Sequence, residues 1–143
     1  MGDEESASVV LSDMAHIHED RIKLYKQVLQ NNKRLEADVR AIFERIIEES
    51  IRYKQQLTSK LSKQNSNEGA VYKAWTGVSV SADAGDKKAI LTGCINDELA
   101  LMNVYSLSLS FTTLDAEIRE LLLVQKQGVK ELYEHIKKFH DAQ

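Results

Sequence analysis

Residues 94–110 read CINDELALMNVYSLSLS. Leu91, Cys94, Glu98, Leu101, Tyr105 and Ser108 recur there at steps of three and four, the seam of a packed helix. Glu98 falls on that seam, and a carboxylate is seldom buried without a partner. The stretch therefore predicts a helix and poses a question. Glu98 could bind a metal, move a proton, or complete a polar network inside a helical core.

The rest of the chain extends the helical pattern. It has 143 residues, no proline, 6 glycines, 6% aromatic and 29% charged residues. Few breakers interrupt long segments, and the length suits one domain with a real core. A first helix is predicted from Ser8, its N-cap, to about Asn31, with Val10, Met14, Ile17, Leu24 and Val28 facing inward. Asn31 and Asn32 end it, because their side chains compete for the backbone. A second helix is predicted from about Leu35 to Lys63, buried along Val39, Phe43, Ile46, Tyr53, Leu57 and Leu61. At 1.5 Å per residue it would be about 43 Å long.

AVYKAWTGVSVS (Ala70 to Ser81) spaces Val71, Trp75 and Val78 as a short extra helix that tucks Trp75 against the body. Asp86 caps a third long helix to about Leu109. Thr113 is read as the cap of a fourth, which runs to about His140 with Ile118, Leu122, Gln125, Val129, Leu132, Ile136 and Phe139 inward. The first and last connections are short, so each joins antiparallel neighbours. The middle connection, about residues 64 to 86, is long enough to return along a helix. The expected fold is all-α: a four-helix bundle with one long crossover between the second and third long helices, as in ferritin-like bundles. Residues 1–7 are expected to be a flexible N-terminus and 8–143 a single domain.

Three stretches carry a resemblance to a family. HEDRIKLY (His18 to Tyr25), AVYKAWTGVSVSADAGDKKAILTGC (Ala70 to Cys94) and YEHIKKFHD (Tyr133 to Asp141) resemble segments of the uncharacterised bacterial ferritin-like four-helix-bundle proteins, a domain family of unknown function. The resemblance runs from about Val9 to the end and implies the ferritin-like fold, but no activity. Relatives usually have a carboxylate at the position of Lys23, more acidic residues around Ile95 to Asp97, and His at the position of Tyr133. This chain has fewer potential ligands than they do.

Metal chemistry in such bundles needs an inward Glu from each of two helices and a Glu-x-x-His pair from each of the others. The sequence holds no Glu-x-x-His. Asp13-x-x-His16 is the nearest imitation. Its row of Asp13, His16, Asp20, Lys23 and Gln27 is wholly polar and reads as a solvated face, and His16 and His18 read as surface residues. Glu98 and Glu49 are the carboxylates left near the seams. They are the residues to test if the protein binds iron or manganese.

The preferred reading places Glu98 in a buried polar network with Tyr53, Tyr105 and Gln125, because a buried tyrosine sends its hydroxyl to an acceptor. Tyr25 and Tyr133 sit near the buried sides of the other two long helices. A small-molecule pocket lined by Tyr53, Glu98, Tyr105 and Gln125 is a further reading. Cys94 is the only cysteine. It reads as a core residue rather than a nucleophile, excludes an internal disulfide, and favours a reducing cytoplasm. No Ser-His-Asp arrangement or phosphate-binding glycine loop is evident.

The net charge of −3 gives no general attraction to nucleic acid. No apolar run approaches the roughly 20 residues that span a bilayer. The opening MGDEES fits a short myristoylation pattern, yet its acidic residues oppose an anionic membrane, so it reads as a frayed terminus. Basic residues gather in groups such as Lys33 with Arg34 and Lys60 with Lys63, and are expected to complement helix C-terminal dipoles. Gly128 interrupts the fourth helix and is a candidate for close helix approach. Leu107 and Leu109, among serines, suggest extra apolar surface and hence a homodimer. The function read from the sequence is a non-catalytic helical bundle with no cofactor, acting through an unknown protein partner or itself; a metal-binding protein is the alternative.

Overall fold

The computed structural model describes residues 6–61, 68–78 and 86–142, and all of its regular structure there is helical. Five helices follow in order: α1 (Ala7–Asn31), α2 (Ala37–Thr58), α3 (Ala70–Val78), α4 (Lys87–Leu109) and α5 (Ala116–Asp141). Among the described residues, no helix is long and apolar enough to cross a membrane.

Local chemistry sets the boundaries. Ser6, not Ser8, caps α1 by accepting from the Val9 amide at 3.3 Å. Residues 1–5 of the expected flexible terminus lie outside the described residues, while Ala7 is already helical. Asn32 folds back to donate to the Val28 carbonyl at 2.9 Å, closing α1 as expected. α2 stops at Thr58, five residues short of the expected Lys63. The Thr58 and Ser59 hydroxyls bond back to the carbonyls of Gln55 and Gln56, an alternative to continuing the helix. Asp86 caps α4 through the Ala89 amide, as expected. Asp115 rather than Thr113 caps α5 through the Ile118 amide. Its charge suits the positive end of the helix dipole.

The cationic groups do not sit as expected. The last turns of α1, α2 and α4 contain no basic residue, and only α5, with Lys138 and His140, matches the dipole pattern. Lys33 and Arg34 follow the end of α1 and Lys60 follows α2; Lys63 lies outside the described residues.

Side-chain pairs give the directions. Glu19 with Lys54, Arg21 with Glu49 and Asn32 with Arg40 descend along α2 as they ascend along α1, so these two helices are antiparallel. His18 with Tyr105 and Arg21 with Glu98 make α1 and α4 antiparallel as well. Tyr105 with Gln125 and Thr92 with His140 do the same for α4 and α5. Two apolar clusters fill the interior. One joins Val10, Met14 and Ile17 to Leu57, Val71, Trp75, Leu101, Val104, Leu122 and Val129. The other joins Tyr25 and Val28 to Phe43, Ile46, Ile90, Leu91, Leu132 and Ile136. A polar layer lies between them.

The polar row on α1 is not wholly solvated. Asp13 is buried and Asp20 half-buried, because α3 docks along it. The Asp13 carboxylate accepts from the amides of Gly69 and Tyr72 at 3.0 and 3.1 Å, capping α3 from another helix. Asp20 accepts from the Tyr72 hydroxyl at 2.6 Å and the Trp75 indole at 3.2 Å. His16 remains exposed and stacks on the Tyr72 ring, centroids 4.1 Å apart.

Asp20 therefore holds the apolar face of α3 down. In Asp20→Ala the two donors lose their acceptor, which costs about 1–3 kcal/mol. The amides of α3 should exchange faster than those of α4 and α5, and Trp75 emission should shift to the red. Unchanged Trp75 emission would show that α3 docks without Asp20.

Candidate functional site

Between the two apolar clusters, α1 turns His18, Arg21 and Tyr25 inward. They continue the 3–4 progression from Met14 to Val28 that faces the core. α2 contributes Glu49 and Ser50, α4 contributes Glu98 and Tyr105, and α5 contributes Gln125. All eight side chains are buried, with Arg21 and His18 fully enclosed.

The Arg21 guanidinium organises the layer. Its Nη2 and Nε donate to the two oxygens of Glu98, a bidentate grip whose Nε bond is 3.2 Å. Its Nη1 donates to Glu49 Oε1 at 2.8 Å and to Ser50 Oγ at 3.0 Å. The Tyr25 hydroxyl adds a 2.9 Å bond to Glu98 Oε2. Burial pulls the Arg21 pKa down, but Glu98 and Glu49 outweigh it and leave the guanidinium more firmly protonated than usual. Burial pushes the Glu49 carboxyl up against the pull of Arg21.

A hydrogen-bond chain with one direction leads away from this cation. Gln125 uses its amide nitrogen for the Tyr53 carbonyl at 3.3 Å and Gln56 Oε1 at 3.0 Å. Its oxygen accepts from the Tyr105 hydroxyl at 2.8 Å. Having spent its proton there, Tyr105 accepts from His18 Nε2 at 2.7 Å. His18 Nδ1 then accepts from Ser50 Oγ at 2.8 Å, while Ser50 accepts from Arg21. The pattern assigns the neutral Nε2–H tautomer to His18. Burial, and then the Arg21 charge, drive its pKa well below the ordinary value.

The expected network residues are distributed unevenly. Tyr105 and Gln125 are linked to each other and, through His18 and Ser50, to the Arg21–Glu98 pair. Glu98 does accept from a tyrosine hydroxyl, that of Tyr25, and its other direct partner is Arg21; Tyr53, Tyr105 and Gln125 do not bond to it directly. Tyr53 gives the chain only its backbone carbonyl, while its ring meets His18 edge-on at 5.6 Å. Glu98, Tyr105 and Gln125 are enclosed and packed, so they do not line the pocket the sequence suggested with Tyr53. Burial also raises the Cys94 thiol, with Glu98 and Asp97 adding to it, which fits a core residue.

His18 is the clearest correction, since it is the centre of the layer and not a surface residue. Arg21 and Ser50 were also missed. Their signal was present: Met14, His18, Arg21, Tyr25, Val28 and Phe43, Ile46, Ser50, Tyr53, Leu57 are unbroken seams once polar residues are admitted.

The two candidate metal ligands, Glu49 and Glu98, converge on a permanent guanidinium cation. This donor set does not fit a divalent ion, because the positive charge is already fixed between the carboxylates. Among the described residues, no group of three or more His, Cys, Asp or Glu is arranged to hold a metal.

Arg21→Met should cost about 3–5 kcal/mol, since it strands two buried carboxylates. Adding Glu49→Gln and Glu98→Gln should recover most of that loss in urea unfolding. A triple variant no more stable than Arg21→Met would show that packing, not charge, is what Arg21 supplies. The neutral His18 gives a pH signature. Below its ordinary value of 6.5 the unfolded chain takes up a proton that the folded chain refuses, so folding weakens as pH falls. The slope should be about 0.7 kcal/mol per pH unit at pH 6.5 and approach about 1.4 near pH 5.5. Glu49, with its raised pKa, acts in the opposite sense nearer its own ordinary value of 4.5. His18→Gln should flatten the dependence, and an equally steep slope in that variant would assign it elsewhere.

Comparison of the chain with family models, curated proteins and solved structures finds no match.

Proposed function

We propose that the chain is a ferritin-like four-helix bundle whose interior is held by a fixed organic cation, and that it acts without catalysis through contact with other protein surfaces. The helix directions support the fold reading. α2 and α4 are both antiparallel to α1, which is the arrangement that a long crossover between them would give, and α3 falls between them in sequence. The resemblance of His18–Tyr25, Ala70–Cys94 and Tyr133–Asp141 to the bacterial family points the same way.

The single observation that carries the reading is Arg21 between Glu49 and Glu98. In a metal-binding bundle of this kind, inward carboxylates from neighbouring helices leave a place for cations. Here the guanidinium takes that place. A unit positive charge about 4 Å away opposes each further positive charge by about 4 kcal/mol at an effective dielectric of 20. The iron or manganese alternative is disfavoured by that repulsion. Contact through the surface draws support from Leu99, Leu123 and Val124, large apolar side chains that α4 and α5 leave exposed.

Protein purified without chelator should carry well under one equivalent of iron or manganese. Stoichiometric metal that is lost in Glu98→Gln would overturn the fixed-cation reading. Light scattering coupled to size exclusion addresses the contact. If copies associate, Leu123→Glu with Val124→Glu should convert a dimer to a monomer. A dimer that survives the double substitution would place the contact elsewhere.

A further inference from the structure

A polar cleft of about 290 Å³ opens between α2 and α5, outside the enclosed network. Its floor is Glu49, Tyr53 and Gly128, and Arg52 stands at its edge. We propose that this cleft binds a small zwitterion, with its ammonium on Glu49 Oε2 beside Gly128 and its carboxylate on Arg52. This site stands apart from the ferritin-like reading and does not depend on it.

Three observations lead there. Glu49 is only 5% exposed, and its Oε1 is engaged by Arg21. Its Oε2 accepts none of the hydrogen bonds found among the described residues and lies 3.1 Å from where a Gly128 side chain would begin. The missing side chain is what leaves that oxygen open to the cleft. Any Cβ at Gly128 would also overlap the Tyr53 hydroxyl.

The second observation is a charge imbalance. Arg21 brings one positive charge to two buried carboxylates, Glu49 and Glu98. Among these three groups one negative charge is left over; Arg45, Arg52, Glu48 and Glu131 stand around the same cleft, and of the two buried carboxylates it is Glu49 that lines it. A buried carboxylate oxygen needs a donor, and an ammonium supplies both the donor and the charge.

The third observation selects a zwitterion over a simple cation. Arg45 and Arg52 line the same cleft, and Arg21 stands behind its floor. Glu48 and Glu131 line it as well, so the cleft holds both signs of charge, and an anionic group on the ligand turns Arg52 into a partner. Arg52 is exposed and seated over the Tyr53 ring, 5.4 Å from its centroid, at the cleft that both residues line. Positions three apart on one helix are about 5–6 Å apart at Cβ, so the ligand charges should be separated by several bonds. A γ-amino acid has that separation.

Amide-resolved NMR titration of the intact chain tests the assignment with 4-aminobutanoate, butylammonium, butanoate and magnesium chloride. We expect saturable shifts at Gly128 and Arg52 with 4-aminobutanoate, at least tenfold weaker binding of butylammonium, and none of butanoate. Arg52→Gln, an exposed substitution, should reduce the affinity for 4-aminobutanoate to that for butylammonium. Gly128→Ala should abolish binding of both. If that variant does not fold, the Arg52→Gln comparison carries the test. No saturable shift with 4-aminobutanoate, binding of butanoate alone, unchanged affinity in Arg52→Gln, or displacement of 4-aminobutanoate by magnesium would each overturn the proposal.

Discussion

The structure depends on a guanidinium held in its interior by two carboxylates from different helices. Taking a charge out of water costs several kcal/mol per ion, and only close, well-aligned partners return it. Arg21 meets that condition with four donated hydrogen bonds to Glu98, Glu49 and Ser50. The result ties α1 to α2 and α4 at one height. Lys54 with Glu19 and Lys87 with Glu36, on the outside, are exposed pairs of the kind that contribute little by comparison.

The cation also orders its surroundings. Ser50 must accept from Arg21, so its one proton goes to His18, and the direction of every later bond follows as far as Gln56. A protonated His18 would need an acceptor at both nitrogens, and Ser50 would then have to turn its proton towards a positive charge. Charge and hydrogen-bond direction thus agree on a neutral imidazole. Glu49 is the most exposed of the eight buried side chains, and Gly128 lacks the side chain that would have covered it.

The long helices were legible because their apolar periodicity and caps are local. Every seam residue expected from Leu91 to Ser108 is buried. Glu98 was legible as a buried group because apolar neighbours bracket it. Its partner was not, since Arg21 comes from a distant part of the chain and sits beside Asp20 and Lys23 in a run that looks solvated. Asp13 and Asp20 misled for a related reason: α3 covers that row, and nothing within α1 records what will dock on it. The missed cap at Asp115 is a local error, a choice of Thr113 where the charged side chain two residues on was the better acceptor.

The polar layer also fixes register, which neither apolar cluster can do alone. Leucine, isoleucine and valine on either side would tolerate a slip of one helical turn, about 5.4 Å, with modest repacking. Arg21 would not. Moving it four residues along α2 replaces Glu49 with Arg45 or Tyr53, and four along α4 replaces Glu98 with Cys94 or Met102. In every such slip at least one carboxylate loses its partner, and a broken buried pair costs about 3–5 kcal/mol. A hydrophobic layer in the same place would pack as well and exclude none of these alternatives. The ion cluster therefore earns its position by the registers it forbids.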